Sequence, residues 1–374
     1  MMDFDFHMPV RIISGWSAVR EHADVLRELG SRCVIVTGGS SAQKSGALDD
    51  VKAALEQSGI SYRIFSGIGA NPLVSACYQA GALARDSGAD FLIGIGGGSP
   101  MDAAKAAAVY AANPDISGEE IYAYTPQAGS APLPVVLVGT TAGTGSEVSP
   151  VAVLTRDSDG RKKSISGPCC FAHIAFADPG YTCSVPYGTT VSTALDALSH
   201  TVEGMLNPRI GEVIRMFGRR ALQLIGPALV RMNREHTLPD RAERERLYYG
   251  SLYAGVVLAA CGTAFPHPMG YVLTEDYGIP HGRACAAFLP SLLEYAQTTA
   301  PESVDEVLGT LKMTFEEFKA TVDGLAAIEV HMDDQTAQRY AARWPGLKNF
   351  ENTPGGYDER RALDLMRHLF VWEN

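Results

Sequence analysis

Asp196 and His200 stand four residues apart in the helix-spaced run Thr193-Ala194-Leu195-Asp196-Ala197-Leu198-Ser199-His200-Thr201-Val202-Glu203. That spacing puts both side chains on one helix face, with Glu203 near it one turn on. Two more imidazoles follow in apolar sequence punctuated by Gly and Pro: His267 in His267-Pro268-Met269-Gly270-Tyr271, and His281 in Gly278-Ile279-Pro280-His281-Gly282. One carboxylate with three neutral imidazoles is a nitrogen–oxygen donor set suited to Fe(II) or Zn(II), without thiolate. Each part also has a plainer reading, an Asp–His pair as a hydrogen bond and a single His as a core histidine. Density distinguishes these four. They fall within 86 positions, whereas His7, His22, His173, His236, His331 and His368 are scattered.

A second chemistry lies in glycine. The chain holds 38 Gly in 374 residues, about 10% against a usual value of roughly 7%. Phe91-Leu92-Ile93-Gly94-Ile95 runs into Gly96-Gly97-Gly98-Ser99-Pro100, and Val135-Val136-Leu137-Val138 into Gly139-Thr140-Thr141-Ala142-Gly143-Thr144-Gly145-Ser146. Successive glycines admit an anion close to the backbone, and a helix start beyond them offers free N–H groups and a positive dipole end. The strict G-x-G-x-x-G fingerprint is missing, so a standard Rossmann fold is not implied. Two such loops on one sheet suit a dinucleotide better than a single phosphate. After the first apolar run comes Thr37-Gly38-Gly39-Ser40-Ser41 with Lys44. No acid stands there for a ribose 2′-hydroxyl, and hydroxyl groups beside a cation suit a 2′-phosphate, so NADP(H) is favoured over NAD(H).

The elements that must position these groups change character along the chain. Cys33–Val36, Tyr62–Phe65, Phe91–Ile95 and Val135–Val138 are short apolar runs separated by helical patterns over 48–57 and 74–87. Strands buried on both faces and alternating with helices predict an α/β domain with a mostly parallel, Rossmann-like sheet, whose ligands bind beyond the carboxyl ends of the strands. After Pro186 the apolar spacing is helical throughout, as in Leu195, Leu198, Val202 and Leu222, Ile225, Leu229. The boundary is placed at 188: 1–188 an α/β dinucleotide-binding domain, 189–374 an all-α domain for metal and substrate.

Composition excludes several classes. The formal net charge is −11, against a nucleic-acid or anionic-membrane partner. The basic stretch 215–246 alternates with Glu235, Asp240, Glu243 and Glu245, the pattern of a solvated helix face. Seven Cys lie in apolar surroundings without C-x-x-C spacing, so buried reduced thiols are expected rather than disulfides. Cys169, Cys170 and Cys261 lack an activating base pattern and read as packing residues. The acidic start Met1-Met2-Asp3-Phe4-Asp5 has no signal-peptide core, and Ala254–Phe265 is too short to span a bilayer. A cytoplasmic location follows as the expectation, and a homodimer is compatible with the chain.

Taken in order, Asn71-Pro72, GGGSPMDAAKA at 96–106, TTAGTGSE at 140–147, Asp178-Pro179, DALSHTVE at 196–203, HPMGYVLTEDYGIPHG at 267–282 and NTPGG at 352–356 resemble the iron-containing (group III) alcohol dehydrogenase family, related to glycerol dehydrogenase and dehydroquinate synthase. The resemblance implies that fold, with Asp196, His200, His267 and His281 as metal ligands. It also places Gly38, Gly39, Ser40, Asn71, Gly97, Gly98, Ser99, Asp102, Thr140, Thr141, Thr144, Ser149, Lys162 and Tyr181 at the cofactor. The implied reaction is hydride transfer between nicotinamide C4 and a small alcohol or aldehyde held on a divalent metal in the cleft between the domains. Three other activities belong to the same plan: glycerol dehydrogenase-like polyol oxidation, a dehydroquinate synthase-like lyase, and a non-catalytic metal- or nucleotide-binding relative. The lyase would need a cationic pocket, and Arg283 is the one cation in the segments near the metal; it leaves room for an acidic substituent on the substrate. Many members carry a further His where this chain has Tyr271, a poorer neutral-pH base because a phenol's unperturbed pKa is roughly 10. Tyr271 therefore stands either in proton transfer or as an apolar wall with a polar tip.

Overall fold

Short apolar runs become the strands of one parallel sheet because each is covered on both faces. In the computed structural model, which describes residues 4, 6–126 and 131–371, these are β1 (Arg11–Ser14), β2 (Arg32–Thr37), β3 (Ser61–Phe65), β4 (Phe91–Gly96), β5 (Val135–Gly139) and, after a hairpin, β8 (Ile174–Ala177). Met1–Asp3 and Asp5, most of the acidic N-terminal stretch, lie outside the described residues. The sheet order is β1-β8-β5-β4-β2-β3 with every pairing parallel. Successive residues of the central strands divide cleanly between two cores. Val34, Val36, Leu92, Val135 and Leu137 pack with α4 (Val74–Asp86) and α5 (Gly98–Ala112). Cys33, Ile35, Ile93, Val136 and Val138 pack on the other face. There they meet α1 (Ala18–Glu21), α2 (Ser41–Lys44) and α3 (Ala47–Ser58). The four strands read from the apolar runs and the helical patterns over 48–57 and 74–87 all form.

Strand order creates the ligand position. From β2 the chain leaves through α3, on one face, to the edge strand β3. From its neighbour β4 it leaves through α5, on the opposite face, to β5. The loops after β2 and β4 therefore part company, which makes a crevice beyond the carboxyl ends of these two strands. Thr37 Oγ1 donates to the Ile95 carbonyl at 3.1 Å and ties the two strand ends together. Periodicity did not reveal the antiparallel hairpin β6 (Val151–Thr155) and β7 (Lys162–Ser166).

The described residues divide into two compact units, His7–Val185 and the chain from Pro186 onward, the latter joined by Phe4 and Phe6. The second is built from helices: α6 (Tyr187–Met205), α7 (Glu212–Glu235), α8 (Arg241–Cys261), α9 (Pro266–Tyr277), α10 (His281–Ala286) and further helices to Phe370. The basic stretch lies along α7 and α8, where Arg215 and Arg219 pair with Glu306, and Arg231 with Glu235 and Glu243. No single helix among the described residues is long and apolar enough to cross a membrane. All seven cysteines are free thiols, but Cys183 is exposed and Cys169 and Cys261 half-buried, so burial is not general.

Candidate functional site

In the helical unit, α6 is buried almost all round from Thr190 to Met205, so the polar face carrying Asp196, His200 and Glu203 points into protein rather than water. Burying that face requires partners, and α9 and α10 supply them. Pro266 starts α9 and His267 follows it directly. Gly278, in the left-handed region, ends the helix, and Pro280 precedes His281 at the start of α10. The approach of α10 to α6 depends on Gly282: a Cβ there would lie 1.8 Å from the Ser192 carbonyl oxygen and 2.9 Å from the Asp196 Cβ.

The result is a convergence of imidazoles on one oxygen. Nε2 of His200, His267 and His281 lie 3.8, 3.8 and 3.7 Å from Asp196 Oδ1. These separations exceed a hydrogen bond. They sit a few tenths of an ångström above the roughly 3.4 Å expected between donors around a tetrahedral cation at the usual nitrogen and oxygen distances. The His200 and His267 rings are stacked, 4.8 Å between centroids. Asp196, His200 and His267 are each at most 5% exposed, while the His281 side chain is 30% exposed and forms the open side. The donor set and its spacing fit a divalent cation, which also answers the cost of burying carboxylate charge.

Glu203, noted from the sequence only as neighbouring, has a defined part. Its Oε1 lies 2.6 Å from His267 Nδ1, and its Oε2 accepts the Ala264 N–H at 2.7 Å. Burial pushes the Glu203 carboxyl upward, opposed first by the charge of His267 and its hydrogen bond. This bond turns His267 Nε2 toward Asp196. Tyr271 stacks on His281, 5.4 Å between centroids, and burial raises its phenol pKa further, so the hydroxyl stays protonated at neutral pH. Cys285, which the sequence reading assigned no role, lies against the cluster. Arg283, the cation of these segments, follows His281 by two residues in α10, and its Nε is buried without a hydrogen-bond partner in the protein.

In the α/β unit, the two Gly-rich loops pack on each other. A Cβ on Gly97 would be 3.2 Å from Thr141 Oγ1, and one on Gly98 would be 2.8 Å from Thr144 Cγ2. Gly97 precedes α5 without a side-chain cap, leaving its first N–H groups for an anion. The Thr140 and Thr141 hydroxyls are buried and have no hydrogen-bond partner within the protein. Two such groups beside a helix N-terminus fit a polar ligand such as a dinucleotide phosphate. Asn71, with φ 57°, donates its N–H to Ser99 Oγ at 3.1 Å. Gly38 lies against Ile68, and Gly39 and Ser40 are exposed at the start of α2.

Asp102 and the Ser149 carbonyl lie beneath the loops as fasteners. Asp102 accepts from Ser146 Oγ and from the Val153 N–H, while Lys105 Nζ donates to Ser146 Oγ and to the carbonyls of Ser149 and Val151 at 2.8–3.1 Å. Burial pushes the Asp102 carboxyl up and the Lys105 ammonium down, each opposed by the other's charge; Lys162 adds a smaller effect on Asp102. Lys105 escaped the sequence reading because a lysine inside an alanine-rich helix reads as exposed. Tyr181 is not brought to these loops. It is buried on the α3 face and its hydroxyl donates to Asp50 Oδ2 at 2.9 Å.

Comparison with known proteins agrees with this geometry. The family description "Iron-containing alcohol dehydrogenase" matches residues 9–179, and "Fe-containing alcohol dehydrogenase family, C-terminal" matches 190–339. Long-chain-alcohol dehydrogenase 1 of Geobacillus thermodenitrificans is 30% identical over 298 residues, 79% of this chain and 74% of that one. The crystal structure of an iron-containing alcohol dehydrogenase from Thermotoga maritima superposes with a TM-score of 0.89 at 34% identity, covering 98% of this chain and 99% of that one. A sulfoacetaldehyde reductase from Bifidobacterium kashiwanohense, in complex with NAD+, gives 0.86 at 26% identity and covers 99% of each. The chain belongs to the iron-containing alcohol dehydrogenase family.

Proposed function

We propose that this metal-dependent alcohol and aldehyde oxidoreductase holds its divalent cation through Asp196, His200, His267 and His281, and its nicotinamide dinucleotide on the loops at 97–99 and 140–144. The observation that carries the first assignment is the placement of three imidazole Nε2 atoms 3.7–3.8 Å from one oxygen of Asp196. When bound, the cation polarises a carbonyl and favours loss of the alcohol proton, and the dinucleotide gives or takes the hydride. The chain's own residues do the positioning. Glu203 orients His267, and Asp196 contributes the negative charge that raises affinity for a dication. Tyr271 forms an aromatic wall on His281 whose hydroxyl keeps its proton, so it donates hydrogen bonds rather than serving as the base.

The preferred dinucleotide in this reading is NADP(H). Gly38-Gly39-Ser40-Ser41 offers no carboxylate to a ribose 2′-hydroxyl, and Lys44 ends α2 four residues after Ser40. The reading extends to a small, weakly polar substrate, on the strength of Tyr271 beside His281. The decisive experiment measures metal content and NADPH-linked aldehyde reduction in His267→Ala, with NADH in parallel. Both quantities should fall together; full turnover without metal would end the metal assignment, and equal kcat/KM with NADH would end the cofactor preference.

A further inference from the structure

The chain reaches His267 through the turn 262–265, which joins α8 to α9. Ala264 and Phe265 are fully buried. Their N–H groups precede the first turn of α9 and have no carbonyl to bond within it, so each needs a partner from elsewhere. Glu203 Oε2 takes the first at 2.7 Å, and Thr353 Oγ1 takes the second at 3.3 Å. Thr353 is itself fully buried, and its hydroxyl donates to the Asn349 carbonyl at 3.0 Å. The Thr263 carbonyl accepts from Asn352 Nδ2 at 3.0 Å and from Asn349 Nδ2 at 3.3 Å. Arg209 donates to Asn352 Oδ1, which leaves the amide nitrogen facing Thr263. The segment has its own anchor on α11 (Leu289–Thr299), where Tyr295 Oη donates to the Gly356 carbonyl at 2.6 Å and Thr299 Oγ1 to the Pro354 carbonyl at 3.2 Å. Gly355, with φ 74°, allows that close approach. The Phe265 ring stacks on Tyr357, 4.1 Å between centroids. Residues 349–357 thus hold Thr263 and Phe265 on either side of Ala264, whose N–H shares the Glu203 carboxylate with His267.

We propose that Thr353 is a positioning residue of the metal centre, supported by Asn349 and Asn352. The C-terminal segment fixes the turn that presents Ala264 to Glu203 and His267 to Asp196, and the inference rests on the metal assignment made above. In this role Thr353 acts through Phe265, two residues before His267. A buried N–H that loses its acceptor is costly, so the turn shifts to find another. A shift there moves the start of α9 and draws His267 Nδ1 away from Glu203. Metal affinity is thereby set partly by the Asn352-Thr353-Pro354-Gly355-Gly356 motif, 85 positions and more beyond His267.

The test is cobalt(II) affinity of the purified, folded full-length protein, read by competition with a chelating dye. Thr353→Val keeps the side-chain shape and deletes the hydroxyl. Losing a partner that orients a ligand weakens metal binding roughly 10–100-fold. Thr353 acts at one remove, so a loss of about tenfold is expected in Thr353→Val, with wild-type affinity in Thr353→Ser. A residue that served folding alone would lower the Tm of the metal-free protein and leave the affinity of the folded state unchanged; that result overturns the proposal. Equal weakening in Thr353→Ser overturns the role of the hydroxyl. If Thr353→Val does not fold, Asn349→Ala decides, since Asn349 is only half-buried and donates to both Thr263 oxygens. Weaker cobalt binding there supports the clamp, and wild-type affinity overturns it while leaving the four-ligand centre standing. Failure of the wild type to bind cobalt, or binding unchanged in His267→Ala, overturns the metal assignment and this inference together.

Discussion

Glu203 Oε1 and His267 Nδ1 lie 2.6 Å apart in the interior of the helical unit, with Glu203 1% exposed and His267 3%. This single bond decides which nitrogen of His267 faces Asp196. It links α6 to α9 through side chains 64 residues apart in sequence, and it turns a conspicuous histidine into an oriented one.

Replacing Glu203 by Gln keeps the shape and removes the charge. Loss of such an outer partner typically weakens metal binding roughly 10–100-fold. Metal retained after dialysis against a graded chelator series should fall accordingly, while far-ultraviolet circular dichroism stays that of wild type. Retention equal to wild type would show that His267 needs no orienting carboxylate.

Gly282→Ala tests the approach of α10 to α6. The added Cβ would meet the Ser192 carbonyl oxygen at 1.8 Å, a backbone atom that cannot swing aside. Overpacking of this kind costs about 1–3 kcal/mol or more, and here it also pushes His281 off Asp196. Thermal unfolding and metal stoichiometry should both decline. An unchanged Tm would contradict the packing described above.

Lys105→Met probes the fastening of the second Gly-rich loop. It strips a buried cation from Asp102 and leaves the Ser149 and Val151 carbonyls without their donor. Breaking a buried pair from one side costs about 3–5 kcal/mol, largely because the remaining charge stays buried. Chemical denaturation should register that loss, and adding Asp102→Asn should recover part of it. A double variant less stable than Lys105→Met would refute the pairing.

Alkaline stability follows from the thiols. Burial pushes Cys33 and Cys170 up to about 12 and Cys261 up to about 11, whereas an unfolded thiol ionises at roughly 8.5. Between these values the native chain keeps protons that the unfolded chain has lost, so stability falls as pH rises. Urea midpoints should therefore decline above about pH 9. A disulfide-exchange reagent at neutral pH should modify exposed Cys183 first. Rapid modification of Cys33 would argue against its burial.

Local pattern carried much of the architecture. The apolar runs at 33–36, 91–95 and 135–138 could be read as buried strands because a run covered on both faces has no polar alternation to confuse it. Asp196 and His200 were legible because helix period alone puts them on one face. β6 and β7 were not: Val151–Thr155 is short, with only Ala152 and Leu154 fully buried, and its pairing is set by a partner strand.

By itself the sequence determined the parallel sheet, the Gly-rich loops at strand ends, the helical second half and the four candidate metal ligands with the family they resemble. Tertiary structure alone decided that three imidazoles meet one Asp196 oxygen, that Glu203 orients His267, that Lys105 is buried beneath the loop, and that the Tyr181 hydroxyl bonds Asp50 on the α3 face. The reason is range. Periodicity reports which face a residue occupies on its own element, but a site is made where faces from distant elements meet. Whether they can meet depends on a close approach such as that at Gly282, which no local pattern records.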